Sequence, residues 1–276
     1  MYIISNPQVN KAIKQFVSKE ILYGNTLYPT IHQKDREFVE QFLNRFYFAF
    51  ETLFYDRNEA AKVFIRRLKV LDSIRLDNED ENVMPFKFAF DEMKDSHGDL
   101  EGGIFVPTRT YGVTIIDMDF VNKSKAEALH TLIHELVHAM CLIMVRGEEG
   151  SEYKCGVNRN GRAFNRLNEG ITEVIAQQMW KHMYKNKPCP GVGRYAVEVE
   201  AAKLVMEKYY SKDQFIEDYL KSGVLLEKEL KKIENQNHLN LFDFINKLDK
   251  VNFEDEKIQQ KFVEELKDFK LNTYQI

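Results

Sequence analysis

The sequence predicts an α+β fold that is mostly α, with a small β-sheet between helical regions. Apolar residues recur at helical spacing over residues 6–76 and again from residue 163 onward. Between them, residues 102–122 are rich in β-branched and aromatic side chains and break at residues 107–109, which is typical of a hairpin. The predicted order is helices, a small sheet, two long helices and further helices.

Composition excludes several classes of partner. The formal charge is −4, and acidic and basic residues are interleaved without a basic cluster, so we expect no nucleic-acid partner. The N-terminal sequence lacks a basic segment followed by an apolar run, and no stretch approaches the roughly 18 apolar residues of a membrane span. We therefore expect a cytoplasmic protein with no membrane partner. Export by a route without a cleaved signal is the alternative.

The cysteines and the N-terminal aromatic residues have structural interpretations. Three cysteines without a C-x-x-C pair predict thiols rather than a disulfide framework (Cys141, Cys155 and Cys189). Two or three helices are expected within residues 6–76, where a stripe of aromatic residues predicts a packing face rather than a ligand-binding box (Phe38, Phe42, Phe46 and Phe50). The polar segment LDNEDENVMP, residues 76–85, predicts a loop.

The most informative stretch is HTLIHELVHAM, residues 130–140. Ser124, followed three residues later by a glutamate, is a capping-box start, and a helix of about twenty residues is predicted from there. His134 and His138 are four residues apart, so both imidazoles lie on one helix face and can reach one metal ion. Glu135 is placed to take a proton from a water at that ion.

The alternative interpretation is a helix with two surface histidines. The residues around the motif are apolar on nearly every side, which predicts a buried helix (Leu132, Ile133, Leu136, Val137, Ala139, Met140, Leu142 and Ile143). Burial of histidines and a glutamate without partners would be strongly unfavourable. A zinc ion supplies the partner, so the sequence favours a metal site.

The third ligand distinguishes among zinc sites. A metzincin would need glycine and histidine where this chain has Cys141 and Met144, and a peptide deformylase would need a cysteine upstream of the motif. A second predicted helix, LNEGITE, offers Glu169 as a ligand. Glu173 follows one turn later on the same face, where its carboxylate can accept the N–H of a histidine ligand. Three glutamates in the preceding loop are rivals on spacing alone (Glu148, Glu149 and Glu152).

HELVH followed by LNEGITE resembles the gluzincin clan of zinc metallopeptidases, and the short core is similar to the minigluzincins. In that family an N-E-x-x-x-[DE] helix carries the third ligand. The resemblance covers about residues 100–200 and implies a zincin-like core with a small sheet, an active-site helix and a glutamate helix. The connection between the two motifs is longer than in the best-known gluzincins, and a glycine-rich loop at residues 146–162 accounts for the excess as a predicted lid or specificity element.

The resemblance implies one zinc ion per chain, with Glu135 as the general base of peptide hydrolysis. Its motif positions fall on three ligands and two supporting residues (His134, His138 and Glu169; Asn168 and Glu173). It also implies a downstream Tyr or His that stabilises the oxyanion, for which we favour Tyr195 and keep Tyr153 as the alternative. His182 lies off the ligand face of its helix.

Two further features have less specific interpretations. His130 precedes His134 by one turn and is expected to be a polar residue near the cleft entrance rather than part of a second metal site. The strand at residues 111–117 resembles the edge strand on which gluzincins align an extended peptide, and an ordinary sheet edge is the equal alternative.

The leading hypothesis is a zinc-dependent metallopeptidase that acts on peptide or protein substrates. One alternative is a metal-binding but non-proteolytic domain with a regulatory or interaction role, and another is a helical structural protein in which both motifs are coincidental. We predict an N-terminal helical region at 1–85, a catalytic core at 86–210 and a C-terminal helical region at 211–276, forming one compact unit. The sequence does not indicate the oligomeric state or the cleavage specificity.

Overall fold

The computed structural model confirms the predicted fold class, because the described residues are mostly helical and carry small β-sheets. None of the described helices is long and apolar enough to cross a membrane. The structure describes residues 6–76, 86–94, 102–107, 112–121, 124–147, 150–157, 164–208, 211–237, 241–250, 261–262 and 264.

Internal contacts divide the chain into two units. Unit 1 comprises residues 1–153 and 176–191, and unit 2 comprises residues 154–175 and 192–276. The division at residues 85 and 210 stays a prediction.

The N-terminal part of unit 1 contains three helices, as predicted, and also a hairpin that was not predicted. The turn of this hairpin holds Gly24 at a φ of +60°, a conformation that glycine adopts without strain. The elements in chain order are α1 (Pro7–Val17), β1 (Glu20–Tyr23), β2 (Thr26–Pro29), α2 (Arg36–Glu51) and α3 (Arg57–Val70).

The aromatic stripe of α2 is a packing face over most of its length. Phe42, Phe46 and Phe50 are buried, and successive ring centroids lie 6.4 and 6.2 Å apart. Phe64 of α3 packs against Phe46 and Phe50, so the stripe joins these two helices. Phe38 at the start of the stripe differs, because 37% of it is exposed.

A three-stranded sheet follows in unit 1. It is formed by β3 (Leu71–Arg75), β4 (Gly103–Pro107) and β5 (Gly112–Ile116) in the order β3-β5-β4. The predicted hairpin is confirmed, because β4 and β5 pair antiparallel. The predicted edge position of residues 111–117 is wrong, because β5 is the central strand and pairs in parallel with β3 on its other side. The loop predicted at 76–85 falls, apart from Leu76, outside the described residues.

Two short helices lie close to this sheet in sequence, α4 (Phe86–Glu92) and α5 (Met118–Val121). The motif helix, α6 (Lys125–Met140), follows them. Helix α6 begins as predicted, since the Ser124 side chain accepts the Glu127 backbone N–H at 3.4 Å. It ends at Met140, about five residues earlier than predicted, and β6 (Leu142–Gly147) pairs with β7 (Gly150–Cys155) where a loop was expected. The run CLIMV contains β-branched residues, which suit a strand as well as a helix.

Helix α7 (Asn165–Met183) confirms the second predicted motif helix and contributes residues to both units. Unit 2 continues with α8 (Ala196–Lys208), α9 (Lys212–Lys221), α10 (Gly223–Asn237) and α11 (Leu241–Leu248). The C-terminal helices fix the start of α7, because the Asp249 carboxylate accepts the backbone N–H groups of Phe164 and Arg166. Such side-chain acceptors satisfy donors that a helix N-terminus leaves unpaired.

Gly170 allows α7 and α8 to approach closely, and Gly170→Ala is expected to destabilise the protein. A Cβ at this position would overlap the carbonyl group of Glu198. Helix propensity alone would favour alanine by about 1 kcal/mol, whereas steric overpacking costs about 1–3 kcal/mol. We therefore expect a net loss in the free energy of unfolding, measured by urea denaturation. Lys181→Ala, at an exposed position of the same helix, is the control and should change it little. A more stable Gly170→Ala variant would contradict the close approach.

Candidate metal centre

Helix α6 presents its two motif histidines as a buried pair. His134 is 4% exposed and His138 is 7% exposed. Their Nε2 atoms lie 3.2 Å apart. The burial arises because every residue from His130 to Met140 is buried, so the motif lies within the protein and not on a solvated helix face. The interpretation of the histidines as surface residues is therefore wrong.

Glu169 of α7 completes a group that could hold a metal ion. One ligand atom from each of His134, His138 and Glu169 lies within 4.8 Å of the other two. Within the described residues, this is the one group of three or more His, Cys, Asp or Glu side chains with such geometry. The predicted convergence of these three residues is confirmed.

The spacing of this group fits a zinc ion. A tetrahedral zinc with Zn–N bonds of about 2.0–2.1 Å separates two nitrogen ligands by about 3.3 Å, and the two Nε2 atoms are 3.2 Å apart. Two imidazoles and one carboxylate are also the protein ligand set of zinc sites that keep a position open for water. Imidazole ligands also suit other transition metals.

Glu135 lies next to His134 on α6 and is 8% exposed. A nearly buried carboxylate is unfavourable in a protein unless a cation or hydrogen-bond donors stabilise it. A metal ion in the adjacent group would provide such a charge. The assignment of Glu135 as general base stays a prediction.

Two residues of α7 lie close to Glu169 in sequence and are fully enclosed. Glu173, one turn after Glu169, has no exposed surface, and Asn168 is 2% exposed. The Asn168 side-chain carbonyl accepts the Val157 backbone N–H at 3.1 Å and the Tyr219 hydroxyl at 2.8 Å. Asn168 thus ties the start of α7 to the chain before it and to α9. The role of Glu173 as acceptor for a histidine N–H stays a prediction.

Tyr219 is a supporting residue that the sequence analysis missed. Its hydroxyl contacts both Asn168 and Thr172, the latter at 3.1 Å, and the side chain is fully buried. A periodic apolar pattern identifies a core tyrosine in a C-terminal helix, but no local signal indicates which distant helix its hydroxyl will contact.

The candidates for oxyanion stabilisation lie in different environments. Tyr195 directly precedes α8, is 43% exposed and has a φ of +50°. This left-handed conformation is uncommon for a bulky residue and is often found at functional positions. The side chain of Tyr153 lies outside the described residues. His182 is exposed on α7, which agrees with a position off the ligand face. The role of Tyr195 stays a prediction.

His130 is not at a cleft entrance, and that expectation is wrong. It is 1% exposed, and its ring centroid lies 6.0 Å from that of Trp180. The described residues also provide no second metal group around it.

The three rival glutamates cannot be placed relative to the metal group, and the cysteines are not paired with one another. Glu148 and Glu149, and the side chain of Glu152, lie outside the described residues. The three cysteines form no disulfide bond with one another, as predicted (Cys141, Cys155 and Cys189).

Comparison of the chain with protein-family models, with curated proteins and with solved structures gives no match.

Proposed function

We propose that this protein is a zinc-dependent metallopeptidase of the gluzincin type. The observation that carries the proposal is the convergence of His134, His138 and Glu169, with ligand atoms within 4.8 Å of one another. The motifs HExxH and NExxxE add a base and supporting residues at the positions that the resemblance implies.

The chain's own residues have defined roles in this proposal. When bound, zinc supplies Lewis-acid activation of water and of a peptide carbonyl. Glu135 accepts a proton from the attacking water and delivers it to the leaving amine nitrogen as the C–N bond breaks. Glu173 accepts the ring N–H of a histidine ligand and so keeps the other ring nitrogen available to the metal. The Tyr195 hydroxyl donates a hydrogen bond to the developing oxyanion.

The first test is elemental analysis of protein purified without added metal, followed by incubation with a mixed peptide library and mass spectrometry of the products. We expect about one zinc ion per chain and cleavage that a chelator abolishes. Absence of zinc, with none taken up on incubation, would contradict the proposal. Bound zinc without cleavage of any peptide would instead favour the non-proteolytic alternative.

A further inference from the structure

A cavity of about 410 Å³ lies in unit 1, between α2, the first turns of α6 and the end of α7. Its inner wall is aromatic. Phe38, which is 37% exposed, and the half-buried Tyr184 present ring surface to the cavity, whereas Trp180 and Phe42 are only 1% and 3% exposed. The Tyr184 ring packs against the Trp180 indole with centroids 4.4 Å apart. The indole N–H of Trp180 donates to the Lys187 carbonyl at 3.2 Å, so the only polar atom of this ring is already hydrogen-bonded. The rings of Phe38 and Tyr184 therefore offer flat apolar surface to a ligand.

Three basic residues from three places in the chain line the same cavity. They are Arg45 of α2, Lys125 at the first position of α6 and Lys187 after α7, and all three are exposed. The start of α6 adds the positive end of a helix dipole. No acidic residue is among the described residues that line the cavity. The Glu37 carboxylate reaches one lining residue, accepting from the Gln41 amide at 3.1 Å on an exposed part of α2.

Hydrogen bonds hold the backbone at Lys187, the third basic residue. The Tyr184 N–H donates to the Trp180 carbonyl and the Lys187 N–H to the Tyr184 carbonyl, both at 2.8 Å. These bonds, with the indole bond to the Lys187 carbonyl, hold the chain after α7 in a tight turn beside the aromatic wall. The lysine side chain also lies 5.9 Å from the Tyr184 ring centroid, within the range of a cation–π contact.

We propose that this cavity binds a small organic anion with a flat aromatic body, of the class of aromatic carboxylates and aryl phosphates. Its volume is within the range of about 300–1,000 Å³ typical of small-ligand sites. The aromatic wall receives the ring, and the basic residues and the start of α6 receive the anionic group. None of the three metal-binding residues lines the cavity. The proposal is therefore independent of the proposed peptidase function.

Tryptophan fluorescence tests this proposal directly, because Trp180 is the only tryptophan in the chain. The full-length protein as purified is excited at a wavelength selective for tryptophan and titrated with 3-phenylpropionate, phenyl phosphate and the neutral 3-phenylpropionamide. We expect a saturable change in emission with at least one anion and at least tenfold weaker binding of the amide. The tighter of the two anions identifies the preferred head group. No saturable change, or equal affinity for the amide, would overturn the proposal.

Substitutions that each remove one positive charge distinguish binding in this cavity from binding elsewhere, for example to a bound metal ion. Lys125→Gln and Lys187→Gln are each expected to weaken binding of the anion about threefold to tenfold and to leave binding of the amide unchanged. Lys181→Gln is the matched control, because Lys181 is an exposed lysine of α7 that does not line the cavity. Anion affinity that is unaffected by both cavity substitutions, or equally reduced by the control, would show that the anion binds elsewhere.

Discussion

Replacement of Glu135 by glutamine is expected to abolish peptide hydrolysis while zinc content and fold are retained. The carboxamide has nearly the shape of the carboxylate but cannot accept a proton from water. General base catalysis contributes roughly 10²–10⁴-fold to rates, so we expect cleavage to fall at least a hundredfold. Initial rates on a cleaved peptide, with zinc measured on the same preparation, provide the test.

Glu127→Gln is the matched control, because Glu127 is the other glutamate of α6 and lies in the first turn of that helix. It should retain full activity. If Glu135→Gln cleaved peptides at the rate of the unaltered protein, another residue would have to be the base. If it lost zinc as well as activity, the comparison would report metal binding rather than proton transfer.

Replacement of Glu169 by alanine is expected to lower the affinity for zinc by about a hundredfold or more. Residues that only orient a metal ligand already change metal affinity by about 10–100-fold, and loss of a ligand should exceed that. Affinity is measured by competition with a chelator of known strength. Zinc should also raise the melting temperature of the unaltered protein more than that of the variant, because a ligand that binds the folded state stabilises it.

Two glutamates between the motif helices provide the controls for this second prediction. Glu149→Ala and Glu152→Ala remove carboxylates that rival Glu169 on sequence spacing alone. Both should bind zinc as the unaltered protein does. If either variant lost zinc while Glu169→Ala retained it, the third ligand would lie in the segment between the motif helices and not on α7.

The metal group was predictable because its geometry is largely local. A spacing of four residues on a helix determines the relation of His134 to His138, and the capping box at Ser124 locates the start of that helix. Glu169 required a motif from a second helix, since the approach of two helices has no local signal. Its neighbour Asn168 is the clearest example of this limit, because its partner Tyr219 lies 51 residues away.

Other features were missed for identifiable physical reasons. The sequence ILYGNTLY carries a Gly-Asn pair between two apolar runs, a hairpin signal that competes with the helical spacing around it. The central position of β5 depends on parallel pairing with β3, which a local pattern does not specify. The cavity beside Trp180 could not be predicted from the sequence for a similar reason, because its basic residues lie far apart along the chain and come together only in the fold.

The burial of α6 affects how sequence change in this helix should be interpreted. Its motif histidines are enclosed by apolar neighbours rather than exposed to solvent. In a descendant without a metal ion at this group, selection would keep the apolar framework and would tolerate leucine or methionine at positions 134 and 138, because an enclosed imidazole without a partner is unfavourable. Conservation of both histidines among descendants would therefore indicate a metal-binding role more reliably than conservation of the fold would.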